Sequence, residues 1–169
     1  MSVIAAPPIH TISMLVRNKP GVLVRVALVF SRRGYNLESL VVSPDITNGD
    51  FSRMTVTCSG DLETLEQIIK QCTKLIDVVH AIDHTGQAAI ATEIALVKLK
   101  CELNQRTEIL QIAEHYNAKV VDYGAESLIL RVYGESEKLD NFISLLKPFQ
   151  VAELVRSGKI LMARGLATT

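Results

Sequence analysis

The sequence predicts an α+β protein made of two tandem βαββαβ units, and two spacings indicate the duplication. A helical stripe that starts at Leu23 recurs 86 residues later at Ile109. A strand that ends at Gly60 recurs 74 residues later at Gly134. The first copy therefore has 12 extra residues, which fall mainly in the loop SPDITNGDF (43–51). The second copy replaces this loop by a tight turn.

The elements of the first copy follow from its hydrophobic spacing. The i, i+3, i+4, i+7 stripe from Leu23 to Phe30 predicts a helix with one buried face. Alternating apolar residues from Met54 to Cys58 predict a half-buried strand, and Asp61 is expected to cap the second helix. The predicted order is strand 11–17, helix 21–33, strand 36–43, strand 52–58, helix 61–72 and strand 75–82.

The second copy repeats this order, with alternating apolar residues from Ala95 to Leu99 and Ser136 as the expected cap of its last helix. The predicted elements are strand 93–101, helix 105–117, strand 118–123, strand 127–133, helix 136–146 and strand 150–156. Each copy is thus a ferredoxin-like unit in which two helices cover one face of a sheet with strand order 4-1-3-2. The predicted domains are residues 11–82 and 93–165, with a linker at 83–92. The last dozen residues are expected to form a weakly ordered tail.

Composition excludes several classes of function. The chain of 169 residues carries 18 Lys and Arg against 18 Asp and Glu, so binding to nucleic acid by phosphate neutralisation is not expected. No apolar run approaches the roughly 18 residues of a membrane span. The start, MSVIAAPPIHT, has no basic region before an apolar segment, which argues against a secretory signal. Three widely spaced cysteines favour a reducing compartment, and we expect a cytoplasmic protein.

The sequence predicts neither a catalytic residue, nor a metal site, nor a cofactor. Cys58 and Cys72 lie on apolar faces and are expected to be buried thiols. The four histidines are scattered, and the GxSxG, Walker and GxGxxG patterns are absent. Glu63 and Glu66 lie on the polar side of a helix, where solvated charge is the simplest explanation.

One turn, NKPG (18–21), has the chemistry of a ligand site. Pro20 suits the first position of a helix, and Gly21 lets a ligand approach the main chain without a β-carbon in the way. The free amides of the first helical turn suit a small carboxylate. Asn18 offers both a donor and an acceptor, as an α-amino acid requires. A Pro-Gly turn that simply starts a helix is the alternative.

The second copy weighs in favour of a ligand. Its equivalent segment, CELNQRTEI (101–109), contains neither Pro nor Gly. Only the first copy keeps a main chain open to close approach. This asymmetry suggests an effector site in the first copy and another role for the second.

The predicted topology separates Asn36 from this turn by about 25 Å, because eight strand residues at about 3.3 Å each lie between the two ends of the sheet. Strand 36–43 is an exposed edge. Antiparallel pairing of two such edges about a two-fold axis brings the partner's Asn36 beside the NKPG turn. The expected homodimer then contains two equivalent clefts, each with an apolar floor from Val22, Leu23 and Leu37.

The stretches RNKPGVL, RRGYNLESL and SRMT, in that order, resemble the regulatory (small) subunits of acetolactate synthase. The likeness continues through LVKLK and VAELVRSGKILMARG and so covers nearly the whole chain. The resemblance implies an amino-acid-sensing ACT domain followed by an ACT-like domain. It implies a subunit that is not an enzyme, activates a thiamine-diphosphate-dependent catalytic subunit and confers feedback inhibition by valine.

The resemblance also implies effector-binding residues, at Asn18, Gly21, Val22, Leu23, Asn36 and Leu37. The site inferred from the NKPG turn and the predicted dimer contains the same residues and adds Pro20. Two other functions stay open. One is a stand-alone tandem-ACT regulator of another enzyme or of transcription. The other is a small enzyme of the acylphosphatase sort, for which Arg17 and Asn18 could superficially serve. Which branched-chain amino acid binds tightest is not predicted.

Overall fold

The computed structural model describes residues 8–87, 89–166 and 168–169. The expectation about a secretory signal therefore concerns a start that lies largely outside the described residues, as do position 88 of the predicted linker and position 167 of the predicted tail. The chain divides into two compact units, Met1–Ile90 with Gly158–Thr169, and Ala91–Ser157. Each unit has the predicted α+β architecture.

The first unit contains the predicted elements in the predicted order. They are β1 (Ile9–Arg17), α1 (Val22–Arg32), β2 (Leu37–Pro44), β3 (Phe51–Ser59), α2 (Leu62–Cys72) and β4 (Val78–Asp83). β4 begins later than predicted because the Val78 amide donates to the Leu75 carbonyl at 3.0 Å and closes a turn there. Asp61 caps α2 as predicted, since its carboxylate accepts from the Thr64 amide at 2.8 Å.

The sheet of the first unit has the strand order β2-β3-β1-β4, which confirms the prediction. All three ladders are antiparallel. Arg17 lies opposite Phe51 at one end of the β1–β3 ladder, and His10 lies opposite Cys58 near the other end. Leu37 lies opposite Cys58 on the other side of β3. β2 is therefore an edge strand that starts at the end of the sheet remote from Arg17.

One face of this sheet packs against the two helices. Alternate residues of β1 and β3 point into the core, where Phe30 of α1 and Cys72 of α2 are also buried. The buried apolar residues are Ile12, Met14, Val16, Val22, Val26, Val29, Phe30, Met54, Val56, Cys58, Leu65, Ile68, Cys72 and Val78. This core fixes the directions of β1 and α1 and so fixes the turn between them.

The second unit repeats the fold. Its elements are β5 (Ala89–Lys100), α3 (Arg106–His115), β6 (Lys119–Tyr123), β7 (Ser127–Gly134), α4 (Ser136–Leu146) and β8 (Gln150–Arg156). The four central strands follow the order β6-β7-β5-β8. β5 begins inside the predicted linker 83–92. The prediction missed this start because the small residues Ala89 and Ala91 hide the alternation that marks a strand.

An ion-pair cluster around the buried Glu93 ties together β5, α4 and β8 of the second unit. Glu93 is 6% exposed and accepts from the Arg156 guanidinium and the Ser136 hydroxyl. Arg156 also donates to Asp140 at 2.5 Å. Ser136 is therefore not the cap that the sequence predicts. Glu135 holds the cap position with an extended backbone, and Ser136 is the first helical residue.

The prediction of a weakly ordered tail is wrong. Residues 158–169 belong to the first unit, whereas the predicted second domain extends to residue 165. The segment contains the strand β9 (Ile160–Ala163). Gly158 lies against Ser39 of β2, and the Arg53 guanidinium donates to the Thr169 carbonyl at 2.6 Å. Spacing patterns do not predict this because the contacts join residues more than 100 positions apart.

Candidate functional site

The turn between β1 and α1 presents main-chain amides at the surface. Gly21 has φ +83° and ψ −9°, in the left-handed region, and precedes the first residue of α1. Its carbonyl accepts from the Arg25 amide at 3.1 Å. Within the described part of the chain, the amides of Gly21, Leu23 and Val24 donate no hydrogen bond to a backbone carbonyl. Free amides at a helix start can bind a carboxylate.

Asn18 joins this turn to the loop between β2 and β3. Its main-chain amide donates to the Asp50 carbonyl at 2.7 Å, and its Nδ2 donates to the Gly49 carbonyl at 3.1 Å. One of the two N–H donors on Asn18 Nδ2 is thus already used within the fold. The amide oxygen of Asn18 remains as an acceptor for a ligand.

The loop itself is held by Asp45, which is 9% exposed. Its carboxylate accepts from the amides of Thr47 and Asn48, both at 3.2 Å, and from Arg53 Nε at 2.8 Å. Hydrogen bonds, from the Thr47 hydroxyl first and from Arg53 and Asn48 further, hold the pKa of Asp45 below its ordinary value. The carboxylate therefore stays ionised at neutral pH and organises the loop as an Asx-type turn.

A cavity of about 320 Å³ opens where the turn meets this loop. Its lining residues are Arg17, Asn18, Lys19, Asp50 and Phe51. Cationic, anionic, amide and aromatic groups thus surround one small space. This combination suits a small zwitterion with an apolar side chain.

Asn36 and Leu37 do not join this cavity within one protomer. Leu37 lies level with Cys58 on β3, and Arg17 lies level with Phe51, so seven residues of β3 separate the two levels. At about 3.3 Å per residue the separation is about 23 Å. The structure thus agrees with the expected position of Asn36 at the far end of the sheet.

The apolar residues next to the turn differ in what they offer. Val22 is 3% exposed, and its side chain packs into the core of the first unit, so that only its main chain faces the turn. Leu23 is 43% exposed and is available to a ligand or a partner. Leu37 packs partly against the core at the start of β2. Pro20 is exposed ahead of Gly21.

The equivalent turn of the second unit is built differently. Arg106, in the first turn of α3, is 5% exposed and donates to the Gly124 carbonyl at 2.8 Å and to the Ala125 carbonyl. Its guanidinium carbon lies 4.6 Å from the centre of the Tyr123 ring. A buried cation here binds the carbonyls of the β6–β7 turn, whereas Asn18 binds the loop in the first unit. The two turns are therefore not chemically equivalent, as the sequence indicates.

The remaining reactive groups are mostly buried. Cys58, Cys72 and Cys101 are free and buried, as predicted for the first two. Burial raises the pKa of Cys58 and of Cys72 to about 11. Among the described residues, no three His, Cys, Asp or Glu side chains are grouped to hold a metal ion. The described helices are all too short or too polar to cross a membrane.

Sequence reasoning missed Asp45, Asp50 and Arg106. The signal for the first two was present, because the 12 extra residues of the first copy fall in the loop that contains them. Arg106 gave no signal, since a buried arginine on carbonyl groups cannot be told from a surface arginine by spacing. The loop that lines the cavity therefore coincides with the extra residues of the first copy.

Comparison with known proteins covers nearly the whole chain. Residues 12–80 match the family described as AHAS small subunit-like ACT domain, and residues 92–165 match the small subunit of acetolactate synthase. A probable acetolactate synthase small subunit of Methanothermobacter thermautotrophicus is 42% identical over 163 residues, 96% of each chain. One of Archaeoglobus fulgidus is 40% identical, covering 92% of this chain and 97% of the relative.

A solved structure is similar over the same length. The acetolactate synthase small subunit of Thermotoga maritima has a TM-score of 0.83 and 36% sequence identity. The alignment covers 95% of this chain and 99% of that one. Sequence and fold therefore point to the same group of proteins.

Proposed function

The chain belongs to the family of acetolactate synthase small subunits, and from this premise we propose that it activates the thiamine-diphosphate-dependent catalytic subunit and makes it sensitive to valine. The regulatory subunit itself performs no chemistry in this proposal. It works with the catalytic subunit in the cytoplasm, in branched-chain amino acid biosynthesis. Valine, the end product, acts as the effector.

The observation that carries the effector site is the conformation of Gly21. Its positive φ turns the chain so that exposed amides precede and open α1. A valine carboxylate at these amides uses the positive end of the helix dipole. We assign Asn18, Pro20, Gly21, Val22 and Leu23 of one protomer to the site, Val22 through its main chain.

Asn36 and Leu37 enter the site from a second protomer. The exposed edge of β2 supports a homodimer, because antiparallel pairing of two such edges brings the far end of one strand to the near end of the other. The surface of α1 supports the same arrangement. Arg25 pairs with Asp77 just before β4, so the opposite flank of α1, with Leu23, faces the β2 edge. The partner would cover this exposed leucine.

Regulation follows from the different affinity of valine for two states of the dimer. An effector that binds both states equally shifts nothing, so the inhibitory state must bind valine more tightly. Couplings of this kind are typically about 1–3 kcal/mol. Because both protomers build each cleft, a change in their relative arrangement is what valine would sense.

Reconstitution tests the proposal. The purified chain is mixed with the acetolactate synthase catalytic subunit, and acetolactate formation is measured with and without valine, leucine and isoleucine. We expect the two chains to co-purify and acetolactate formation to be activated. Valine should then lower the rate to near that of the catalytic subunit alone. Failure to bind or activate the catalytic subunit would favour the stand-alone regulator. Hydrolysis of an acyl phosphate by the chain alone would favour the hypothesis of an acylphosphatase-like enzyme.

A further inference from the structure

The loop between β2 and β3 adds to the effector site a group that the turn alone lacks. The turn provides amide donors, which suit the carboxylate of an amino acid. An α-ammonium group needs acceptors instead, preferably with negative charge. The cavity beside the turn contains one carboxylate, that of Asp50.

We propose that the Asp50 carboxylate binds the α-ammonium group of the amino-acid effector, and that Asp45 positions the loop that carries it. This inference rests on the proposed function, since it concerns the same effector. It assigns a role to residues 45–51, which the second copy of the fold does not have.

Among the acceptors that line the cavity, the Asp50 carboxylate carries the negative charge, whereas the Asn18 amide oxygen is neutral. The Gly49 carbonyl already accepts from Asn18 Nδ2, and the Asp50 carbonyl accepts from the Asn18 amide. The Asp50 side chain, by contrast, has no ion-pair partner among the residues that the structure describes. It is exposed at the cavity and carries the negative charge that an ammonium group prefers.

The other walls of the cavity fit the rest of an amino acid. Arg17 and Lys19 line the same cavity and provide positive charge for a carboxylate. Phe51 provides an apolar wall next to Asp50. A ligand with opposite charges at one end and a short apolar side chain satisfies all these groups together. An anion without an ammonium group would be repelled by the Asp50 carboxylate.

The position of Asp50 depends on Asp45. The Asp45 carboxylate holds the Thr47 and Asn48 amides at 3.2 Å each and Arg53 Nε at 2.8 Å, so both ends of the loop are fixed. Asn48 in turn accepts from the Asp50 amide at 3.0 Å through its side-chain oxygen. A loop fixed in this way loses little conformational entropy when the ligand binds.

Two ligands that differ only in the amine separate this role from others. Valine and 3-methylbutanoate share the carboxylate and the branched chain, but only valine has the ammonium group. Their binding to the full-length chain is measured by isothermal titration calorimetry. For the unaltered protein we expect valine to bind more tightly. For Asp50→Asn we expect the dissociation constant of valine to rise about ten- to hundredfold and that of 3-methylbutanoate to stay unchanged or fall, because the charge that repels a plain anion is gone.

The matched control is Glu63→Gln, which removes an exposed carboxylate of the same unit that does not line the cavity. Its affinity for both ligands should equal that of the unaltered protein. Equal loss of both ligands in Asp50→Asn, or an unchanged affinity for valine, would overturn the inference while leaving the proposed function intact. Failure of the unaltered chain to bind valine or respond to it in the reconstituted enzyme would overturn both.

Asp45 is tested through the same pair of ligands. Asp45→Ala should weaken the binding of valine more than that of 3-methylbutanoate. The freed loop displaces Asp50 but leaves the amides of the turn in place. Asp45→Asn keeps one acceptor oxygen and should recover part of the loss. Circular dichroism and unfolding in urea show whether either variant has lost the fold. Equal losses for the two ligands in a folded Asp45→Ala protein would contradict the positioning role.

Discussion

The Arg25 guanidinium donates to the Asp77 carboxylate at 2.5 Å, and the same guanidinium lies 3.6 Å from where a β-carbon on Gly21 would stand. An ion pair therefore borders the one residue of the turn that needs a positive φ. Any carboxylate introduced at Gly21 would meet Arg25 and compete with Asp77. A β-carbon at Gly21 would make only ordinary van der Waals contact, so the cost of a side chain there comes from the positive φ.

We expect Gly21→Asp to abolish valine inhibition while preserving activation of the catalytic subunit. The new carboxylate occupies the place of the ligand carboxylate, and the left-handed backbone at φ +83° adds strain of about 1–2 kcal/mol. The measurement is a valine titration of acetolactate formation by the reconstituted enzyme. Unchanged inhibition would rule out this turn as the effector site.

Gly86→Asp serves as the control for strain and charge. Gly86 has φ +71° and lies beyond β4, the edge strand opposite β2. None of the described atoms comes within 4 Å of its virtual β-carbon. The same substitution there should lower stability to a similar extent and leave valine inhibition unchanged. Loss of inhibition in both variants would mean that lowered stability, not the site, explains the effect.

Periodicity predicted the fold well because the two cores are regular. The stripe of α1 and the alternation of β3 appear directly in the sequence, and burial of Phe30 and Val56 follows from them. The predictions of the β4 start and of the Ser136 cap were wrong because individual hydrogen bonds, which spacing does not reveal, determine both features. Val78 closes a turn through Leu75, and Ser136 bonds Glu93 instead of its own helix.

The candidate site was predicted only in part, for a physical reason. The turn that contains Gly21 has a local signature, since Pro and Gly restrict or extend the backbone conformation themselves. The roles of Asp45 and Asp50 depend on where the loop folds back onto Asn18, which is a contact across 31 residues. A spacing pattern cannot specify such a contact.

Stability of the first unit should fall as the pH drops below about 6.5, the ordinary pKa of histidine. Burial lowers the pKa of His84, with a smaller opposing effect of Asp83, so the folded state favours the neutral ring. The ring Nε2 lies 2.7 Å from the Ser13 hydroxyl, and both residues are buried, so protonation would place a charge in the interior. The unfolded state takes up the proton first, which removes stability as the pH falls from about 6.5 toward the lower folded-state pKa.

The matched variant is His84→Gln, which keeps a hydrogen-bonding group near Ser13 but does not titrate. Urea unfolding at about pH 7.5 and about pH 5.5 measures the change for both proteins. We expect a smaller loss of unfolding free energy in the variant. Equal losses in the two proteins would assign the pH dependence to other groups.

Alkylation of Cys58 and Cys72 should report unfolding. Both thiols are at most 1% exposed, and burial raises the pKa of each to about 11. At about pH 8 the reactive thiolate is therefore scarce and inaccessible. Mass spectrometry after iodoacetamide treatment should find these two residues unmodified in the native protein and fully modified in urea. Rapid labelling of the native protein would contradict the buried placement.

Arg156→Met should destabilise the second unit by about 3–5 kcal/mol. It leaves the buried Glu93 carboxylate without its cationic partner. Asp140→Ala removes the exposed partner, whose side chain is 61% exposed, and should cost about 0–1 kcal/mol. Adding Glu93→Gln to Arg156→Met should recover part of the loss in urea unfolding. No recovery would indicate that lost packing, not the unpaired charge, is responsible.

A mixing experiment tests whether each effector cleft is built by two protomers. Gly21→Asp damages the turn, and Asn36→Ala damages the group expected from the partner, so neither homodimer should bind valine. In a mixed dimer both defects fall in one cleft, and the other combines an unaltered turn with an unaltered Asn36. Equal mixing and re-assembly makes about half the dimers mixed, which restores about one quarter of all clefts. Calorimetry that finds no restored binding in a mixture shown by native mass spectrometry to contain mixed dimers would mean that Asn36 acts within its own protomer or not at all.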